Sequence, residues 1–379
     1  MLLIQKGRVH TMEVPEAMIM DVLIREGKIV QIAPDITPEP GMKVVCAQGL
    51  EVFPGFIDSH SHIGISEEKK TGEGDTSNEN TNPVTPAVRA LDGINPMDSA
   101  FHNALAYGIT GVLVGPGSAN PIGGQFAYIK TVGRRVDDMV VLAPAAIKIA
   151  FGENPISAYG INGNMPSTRM GTASLIREAL FRARQYLDGD GSGKQFGMEC
   201  YRELFEKRIP LKAHVHRTDD IFTAIRIAKE FDLDITLDHC TEGHLIAGEI
   251  AESGFPAIVG PSLASRTKDE VGQSDFKTPG ILEKAGVQVA LTTDHPVSRI
   301  QYLPLCAALA VKEGMDEWEA LKAITINAAK ICRVDHRVGS LAVGKDGDLV
   351  LWQGSPLLIS SKVVMVFIEG KQVWPPEEG

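Results

Sequence analysis

The chain has 379 residues, of which 44% are hydrophobic and 22% charged, and its formal net charge at pH 7 is −11. This length suits one large barrel or two domains, and the composition is that of a globular protein with ample material for a core. The acidic balance argues against nucleic acid and against an anionic membrane surface as partners, and favours a small-molecule ligand.

Three features of the sequence favour a cytoplasmic location. No apolar run approaches the roughly 18 residues that span a bilayer. The first residues, Met1 to Gly7, lack the basic-then-apolar layout of a signal peptide. The five cysteines are scattered and show no Cys-x-x-Cys spacing, which is typical of free thiols in a reducing compartment.

The two ends of the chain share one texture. Short β-prone runs separated by turn-forming residues fill residues 1–53, and similar runs fill residues 336–379. Because chain termini often lie close together, we predict that both ends form one small β-sandwich domain. This domain should pack outside a barrel domain of residues 54–335, away from its catalytic mouth.

In the middle of the chain, short apolar runs alternate with helical stretches at 173–186, 219–231 and 317–331. Eight strands alternating with helices predict an α/β fold of the (β/α)8 TIM barrel type. The runs predicted as barrel strands are Phe53–His60, Gly111–Val114, Phe126–Thr131, Ala145–Ala150, Leu211–His216, Ile235–His239, Ala257–Gly260 and Val287–Asp294.

Two loops interrupt this alternation. Residues 66–96 are rich in Glu, Asn, Thr and Gly and follow the first predicted barrel strand, so we predict a functional cover over the site at its end. Residues 115–125 are rich in glycine. They suit either a tight strand-to-helix connection or a phosphate-binding loop, although no Gly-Lys-Ser/Thr follows them.

Side chains that ligate metal ions stand at or just beyond the carboxyl ends of predicted strands, where the active sites of barrel enzymes lie. Imidazole and carboxylate groups are ligands for divalent transition metals, and two histidines at i and i+2 on a strand point to one face. The side chains in question are His60, His62, His214, His216, His239 and Asp294.

Lys148 occupies an apolar run, 145–150, where an unpaired lysine would be costly to bury. It is either paired with a carboxylate inside the barrel, or it is carboxylated and bridges two metal ions. Carboxylation would turn a cation into an anionic ligand.

The segment 54–62, Lys148, the later histidines and Asp294 strongly resemble the metal-dependent amidohydrolase superfamily, above all its imidazolonepropionase-like and dipeptidase-like branches. Residues 338–350 resemble the segment that leads back into the small β-sandwich of that family. The resemblance covers nearly the whole chain, and it also suggests a homo-oligomer.

The resemblance implies a site for two divalent metal ions, expected to be zinc. His60, His62 and Asp294 would bind the more buried ion. Asp294 would also act as general base, because it can accept the proton of a metal-activated water and pass it to the leaving nitrogen.

The second ion would be held by His214 and His239, with carboxylated Lys148 as the bridge to the first ion. His216 is a rival to His214 as the ligand on the fifth strand, and otherwise a substrate-binding group.

The implied activity is hydrolysis of a carbon–nitrogen bond in a dipeptide, an N-acyl amino acid or a cyclic amide. Arg169 and Arg266 could each clamp a substrate carboxylate, or could be solvated surface charges. The alternatives are a mononuclear metal-dependent deaminase or imidazolonepropionase-type hydrolase, and a non-catalytic barrel. Metal content distinguishes them: two ions per chain favour amide hydrolysis, one favours deaminase chemistry, and none favours a structural role.

Overall fold

The computed structural model describes residues 1–68, 74–189 and 193–376. The N-terminal segment supplies five strands: β1 (Leu2–Val9), β2 (Met18–Arg25), β3 (Lys28–Ala33), β4 (Lys43–Cys46) and β5 (Glu51–Pro54). The middle of the chain supplies eight: β6 (Phe56–Ser61), β7 (Ile109–Val114), β8 (Ile122–Lys130), β9 (Val140–Ala150), β10 (Leu211–Val215), β11 (Ile235–His239), β12 (Ala257–Val259) and β13 (Val289–Leu291). The C-terminal segment supplies β14 (Leu349–Gln353), β15 (Lys362–Ile368) and β16 (Lys371–Trp374).

Both ends of the chain meet in one sheet, separate from the barrel sheet. Its order is β16-β15-β14-β5-β1-β2-β3, with β4 paired to β1. The link between the two ends is the antiparallel pair β5–β14, in which Phe53 lies opposite Val350. Apolar side chains from both ends, among them Ile4, Ile24 and Phe367, are buried in one cluster. This sheet therefore needs both ends of the chain.

Gly55 marks the passage from the terminal sheet to the barrel. A Cβ atom at this position would lie 1.9 Å from Oγ1 of Thr110, so that only glycine fits beside β7. The first barrel strand consequently begins at Phe56, and the predicted start at Phe53 is wrong, because Phe53 belongs to β5 in the other sheet.

The barrel sheet is nearly closed and has eight strands in chain order, β6 to β13. All eight coincide with predicted runs, although several bounds differ. The strands run parallel except β8, which pairs antiparallel with both β7 and β9. The strict strand–helix alternation of the prediction is therefore wrong at this point: residues 115–121 connect two antiparallel strands, neither leading into a helix nor forming a phosphate loop at a helix start.

The described helices lie between the barrel strands and before the C-terminal strands. They are α1 (Ser99–Ala106), α2 (Glu153–Tyr159), α3 (Arg169–Leu187), α4 (Phe196–Glu199), α5 (Arg202–Phe205), α6 (Thr218–Phe231), α7 (Ala247–Ser253), α8 (Thr278–Lys284), α9 (Leu303–Lys312), α10 (Glu317–Ala323) and α11 (Ile326–Ile331). The stretch predicted as one helix at 317–331 is thus two, because Thr325 leaves the helical conformation at φ −135° and ψ −103°. Among the helices of the described ranges, none is long and apolar enough to cross a bilayer.

An extended segment of the loop 66–96 packs along β8. The backbone N–H of Gln125 donates to Val88 O at 2.8 Å, and that of Ile122 donates to Pro83 O at 3.2 Å. A Cβ at Gly124 would lie 2.2 Å from Val88 O, which shows how closely the two backbones approach. Residues 83–89 therefore form part of the barrel wall where the chain has no helix.

Lys130, at the end of β8, joins the barrel to the C-terminal segment. Its Nζ lies 2.7 Å from Asp346, 3.2 Å from Asp348 and 2.9 Å from Glu369. Arg337 also contacts Asp346, at 2.8 Å. A buried lysine among carboxylates thus ties the two sheets together.

Candidate metal centre

The first group of ligating side chains forms where β6 and β13 end. Nε2 of His60 lies 3.7 Å from Oδ1 of Asp294, and Nε2 of His62 lies 3.2 Å from the same oxygen. Nδ1 of His62 is held by Gly115 O at 2.7 Å, and the backbone N–H of His62 donates to His295 O at 2.8 Å. The chain segments after the two strands are therefore fixed against each other.

The second group lies at the ends of β10 and β11. The ring centroids of His214, His216 and His239 are 4.5 to 5.0 Å apart. Nε2 of His214 and Nε2 of His216 lie 4.0 and 3.9 Å from Oε1 of Glu270. The ring of His239 is 5.0 Å from that of His60, so it stands between the two groups.

His239 and Asp294 reach the site through an unusual backbone conformation. Their φ angles are 76° and 51°, in the left-handed region that residues with a Cβ rarely occupy. On β11 the preceding Asp238 already faces the barrel interior, where it contacts His60, so regular alternation would turn His239 outward. The positive φ brings His239 back to the cluster. Such outliers concentrate at functional sites.

Lys148 is fully buried beside the first group. Its Nζ lies 3.1 Å from Nε2 of His60, and no ion pair between it and a carboxylate occurs in the described part of the chain. Burial lowers the pKa of Lys148 to about 8, although Asp238 and Asp294 act in the opposite direction. The carboxylate pair inside the barrel belongs to the neighbouring Lys212, whose Nζ is 3.0 Å from Asp238.

The charge states of the cluster are those of metal ligands. Burial lowers the pKa of His60, His214 and His216 well below the usual histidine value, so their rings are neutral at pH 7. Burial also acts to raise the pKa of Asp294, but the neighbouring His239 and His62 outweigh this effect, and its pKa is lowered. Neutral imidazoles and an ionised carboxylate are the forms that bind a divalent cation.

The hydrogen bonds of the histidine rings also indicate a metal site. Nδ1 of His239 is bound to Gly260 O at 2.7 Å, and Nδ1 of His216 to Thr241 Oγ1 at 2.7 Å. Nε2 of His239 and Oδ1 of Asp294 are buried and lack hydrogen-bond partners among the described residues. Buried polar atoms without partners that converge on one space fit a divalent metal ion.

A cavity of about 430 Å³ opens above the cluster. Its wall is rich in hydroxyl and amide groups and has no aromatic side chain among the described lining residues apart from the histidines. Part of the loop 66–96 contributes Ser66, Asp75, Ser77 and Asn78 to this wall. The predicted cover therefore lines the cavity where it is described; residues 69–73 of it lie outside the described residues.

The predicted ligands converge, whereas neither of the two predicted arginines is among the described residues that line the cavity. His214 and His216 both face Glu270, and which of them binds metal stays a prediction. Arg169 lies 3.1 Å from Asp220 and 3.9 Å from Glu270, outside the cavity wall. Arg266 is exposed and donates to Ser274 O at 2.7 Å. Substrate binding by either arginine stays a prediction.

Sequence reasoning missed three polar residues of the site, Glu270, Lys268 and Asp238. Glu270 is buried and accepts a hydrogen bond from the backbone N–H of Glu153 at 2.8 Å. Lys268 lines the cavity and donates to Asn154 Oδ1 at 2.8 Å. Glu270 and Lys268 lie outside the barrel strands, where no periodicity marks them. Asp238 had a signal, since it is a charged residue within an apolar strand.

Comparisons with known proteins identify relatives of this chain. The model of the amidohydrolase family matches residues 194–373. The crystal structure of an amidohydrolase from Thermotoga maritima MSB8 is 41% identical, covers 99% of this chain and 100% of its own, and superposes with a TM-score of 0.95. The imidazolonepropionase of Salinispora arenicola is 25% identical over 359 residues, which are 87% of this chain and 84% of that protein.

A third relative is longer. The amidohydrolase tasK of Hapsidospora irregularis is 27% identical over 391 residues, which are 92% of this chain but 39% of that protein. The chain thus spans well under half of this relative. The Thermotoga structure matches nearly the whole chain at 41% identity, and the histidines, Lys148 and Asp294 converge in one place. The chain belongs to the amidohydrolase family, whose members act as hydrolases on carbon–nitrogen bonds.

Proposed function

We propose that the protein hydrolyses the carbon–nitrogen bond of a small polar amide, such as a dipeptide, an N-acyl amino acid or a cyclic amide, with two zinc ions as cofactors. The observation that carries the proposal is the presence of two neighbouring ligand groups at one cavity, whose wall includes His62, His214, His216 and Asp294. These groups are His60, His62 and Asp294, and His214, His216 and Glu270. His239 and Lys148 lie between or beside them.

In this proposal His60, His62 and Asp294 would hold one ion, His214 and His239 would hold the other, and Lys148, if carboxylated, would contribute to both sites. A divalent metal ion lowers the pKa of bound water towards about 7 and polarises a carbonyl group. The buried ammonium of Lys148 loses its proton more readily than an ordinary lysine, and a neutral amine is the form that can react with carbon dioxide.

Asp294 has the acid–base role. Its Oδ1 has no hydrogen-bond donor among the described residues, so it is free to take a proton from the attacking water. The same carboxyl group then passes that proton to the nitrogen that leaves as the carbon–nitrogen bond breaks. The positive φ of Asp294 directs its carboxylate towards both histidines of the first group.

The cavity supports a small polar substrate. A volume of about 430 Å³ lies within the range of small-molecule sites, and hydroxyl groups such as Ser118, Thr241 and Ser262 can bind polar substituents. The similarity to imidazolonepropionase favours a second candidate, a cyclic-amide hydrolase or deaminase with a single metal ion.

The test is a screen of purified, zinc-supplemented protein against dipeptides, N-acyl amino acids and cyclic amides, with Asp294→Asn as the blank. We expect turnover of at least one class, two metal ions per chain and no turnover by the blank. Release of ammonia from aminated heterocycles alone, with one ion per chain, would favour the deaminase instead.

A further inference from the structure

Lys212, Asp238 and His60 form a chain of contacts inside the barrel. Nζ of Lys212 lies 3.0 Å from Oδ2 of Asp238, and the same oxygen lies 2.6 Å from Nδ1 of His60. All three side chains are fully buried. Asp238 is further fixed by Thr236, whose hydroxyl donates to Oδ1 at 2.7 Å.

This arrangement determines which nitrogen of His60 carries hydrogen. A carboxylate only accepts hydrogen bonds, so Nδ1 of His60 must be the donor in the contact with Asp238. The other nitrogen, Nε2, then presents its lone pair towards Asp294 and Lys148, whose Nζ lies 3.1 Å away. A lone pair at Nε2 is what a metal ligand requires.

The other rings of the site are held differently. Nδ1 of His62 and of His239 is bound to backbone carbonyl oxygens, of Gly115 and Gly260. Among the described histidines of the centre, His60 is the one whose Nδ1 is bound by a buried carboxylate. A carboxylate at this depth needs a partner of opposite charge, and Lys212 provides it.

The ion pair between Asp238 and Lys212 also gives two neighbouring lysines different roles. Lys212 and Lys148 lie opposite each other on β10 and β9. Because Asp238 binds Lys212, Lys148 is left facing His60 and the cluster. A buried ion pair is rarely needed for stability alone, since apolar residues of similar volume serve as well.

We propose that Asp238 and Lys212 are positioning residues that hold His60 in the tautomer with hydrogen on Nδ1, so that Nε2 faces the metal centre. The proposal rests on the metal-dependent function proposed above only in taking His60 as a metal ligand. Its first test uses metal-free protein, and can therefore fail or succeed whether or not the protein hydrolyses amides.

The first measurement is the tautomer itself. Protein labelled with ¹⁵N-histidine is examined by NMR without metal, and the His60 signals are assigned with His60→Asn. We expect Nδ1 of His60 to carry hydrogen and Nε2 to be unprotonated. A wild-type ring with hydrogen on Nε2 would overturn the proposal without any further variant.

The second measurement compares Asp238→Asn, Lys212→Met and a matched control, Asp21→Asn. Asp21 is also a buried carboxylate, but it lies on β2 in the terminal sheet, where it accepts hydrogen bonds from the backbone N–H groups of Lys6 and Ile36. The Kd for Zn²⁺ alone is measured by competition with a chromophoric chelator. We expect Asp238→Asn to mix the tautomers and weaken Zn²⁺ binding about 10- to 100-fold.

Lys212→Met should weaken Zn²⁺ binding less than Asp238→Asn, because the carboxylate remains in place. In the control, the His60 tautomer and the Kd should stay close to the wild-type values even if its stability changes. If Asp238→Asn does not fold, the test of the proposal rests on the Kd of the Lys212→Met variant and on the His60 tautomer of the wild-type protein. Unchanged tautomer and Kd in every folded variant would refute the positioning role.

Discussion

Replacing Lys130 by methionine tests the link between the barrel and the terminal sheet. The side chain of Lys130 is 7% exposed, and its Nζ contacts three carboxylates at 2.7 to 3.2 Å. Burial acts to lower the pKa of this lysine, but Asp348 and Asp346 outweigh it and the pKa is raised. The stabilisation is therefore complete at pH 7 and is lost only as the pH rises above the ordinary lysine value and through the raised one.

The expected loss of stability depends on which carboxylates lose their cation without keeping another partner or their hydration. Asp346 keeps Arg337 and Lys28 as partners, and Glu369 is 44% exposed and keeps its hydration. Asp348, which is 4% exposed, loses its cation. Breaking a buried ion pair costs about 3–5 kcal/mol, and since only one carboxylate is stranded we expect about 3 kcal/mol.

Urea unfolding of wild type and Lys130→Met at pH 7 measures this loss. The matched control is Lys207→Met, whose pair with Asp232 is exposed and should contribute at most about 1 kcal/mol. Adding Asp348→Asn to Lys130→Met should recover part of the loss. A loss for Lys130→Met no larger than that of the control would show that the buried pair does not stabilise the fold.

Two further predictions concern the site and its support. Lys148→Met should lose activity and one metal ion per chain, because a thioether cannot replace a bridging carboxylate; elemental analysis with steady-state kinetics measures both, and full activity would exclude the bridge. Burial raises the pKa of Asp58 from 3.8 to about 6. The folded state therefore binds the proton of the Asp58 carboxyl group more tightly than the unfolded state does. The contribution of Asp58 to the free energy of unfolding should fall by about 3 kcal/mol between pH 4 and 6. Asp58→Asn should remove this part of the pH–stability profile, and an identical slope in the variant would contradict the assignment.

Much of the barrel could be predicted because its signals are local. Apolar runs mark the positions of all eight barrel strands, and the runs of β10 and β11 also end in histidine. The direction of β8 could not be predicted, because residues 115–121 are short and glycine-rich, and glycine permits either a turn or a loop. Which strand reverses depends on pairing between distant segments.

In the site, the ligands at strand ends were predictable, whereas their supports were not. Glu270 and Lys268 lie on a long connection, where the sequence shows no period. The role of Asp238 depends on the conformation of the next residue, since the positive φ of His239 lets two consecutive side chains serve one site. A strand pattern with strict alternation assigns only one of them to the interior.

The pairing of residues 83–89 with β8 constrains how this enzyme can be re-engineered. Loop exchange is a common route to new substrate range, and residues 74–82 on the cavity side are natural material for it. Residues 83–89 donate and accept backbone hydrogen bonds along β8, so a graft that removes them would open the barrel. A transplant should therefore end before Pro83, and the donor loop must fit the spacing that this fixed anchor sets.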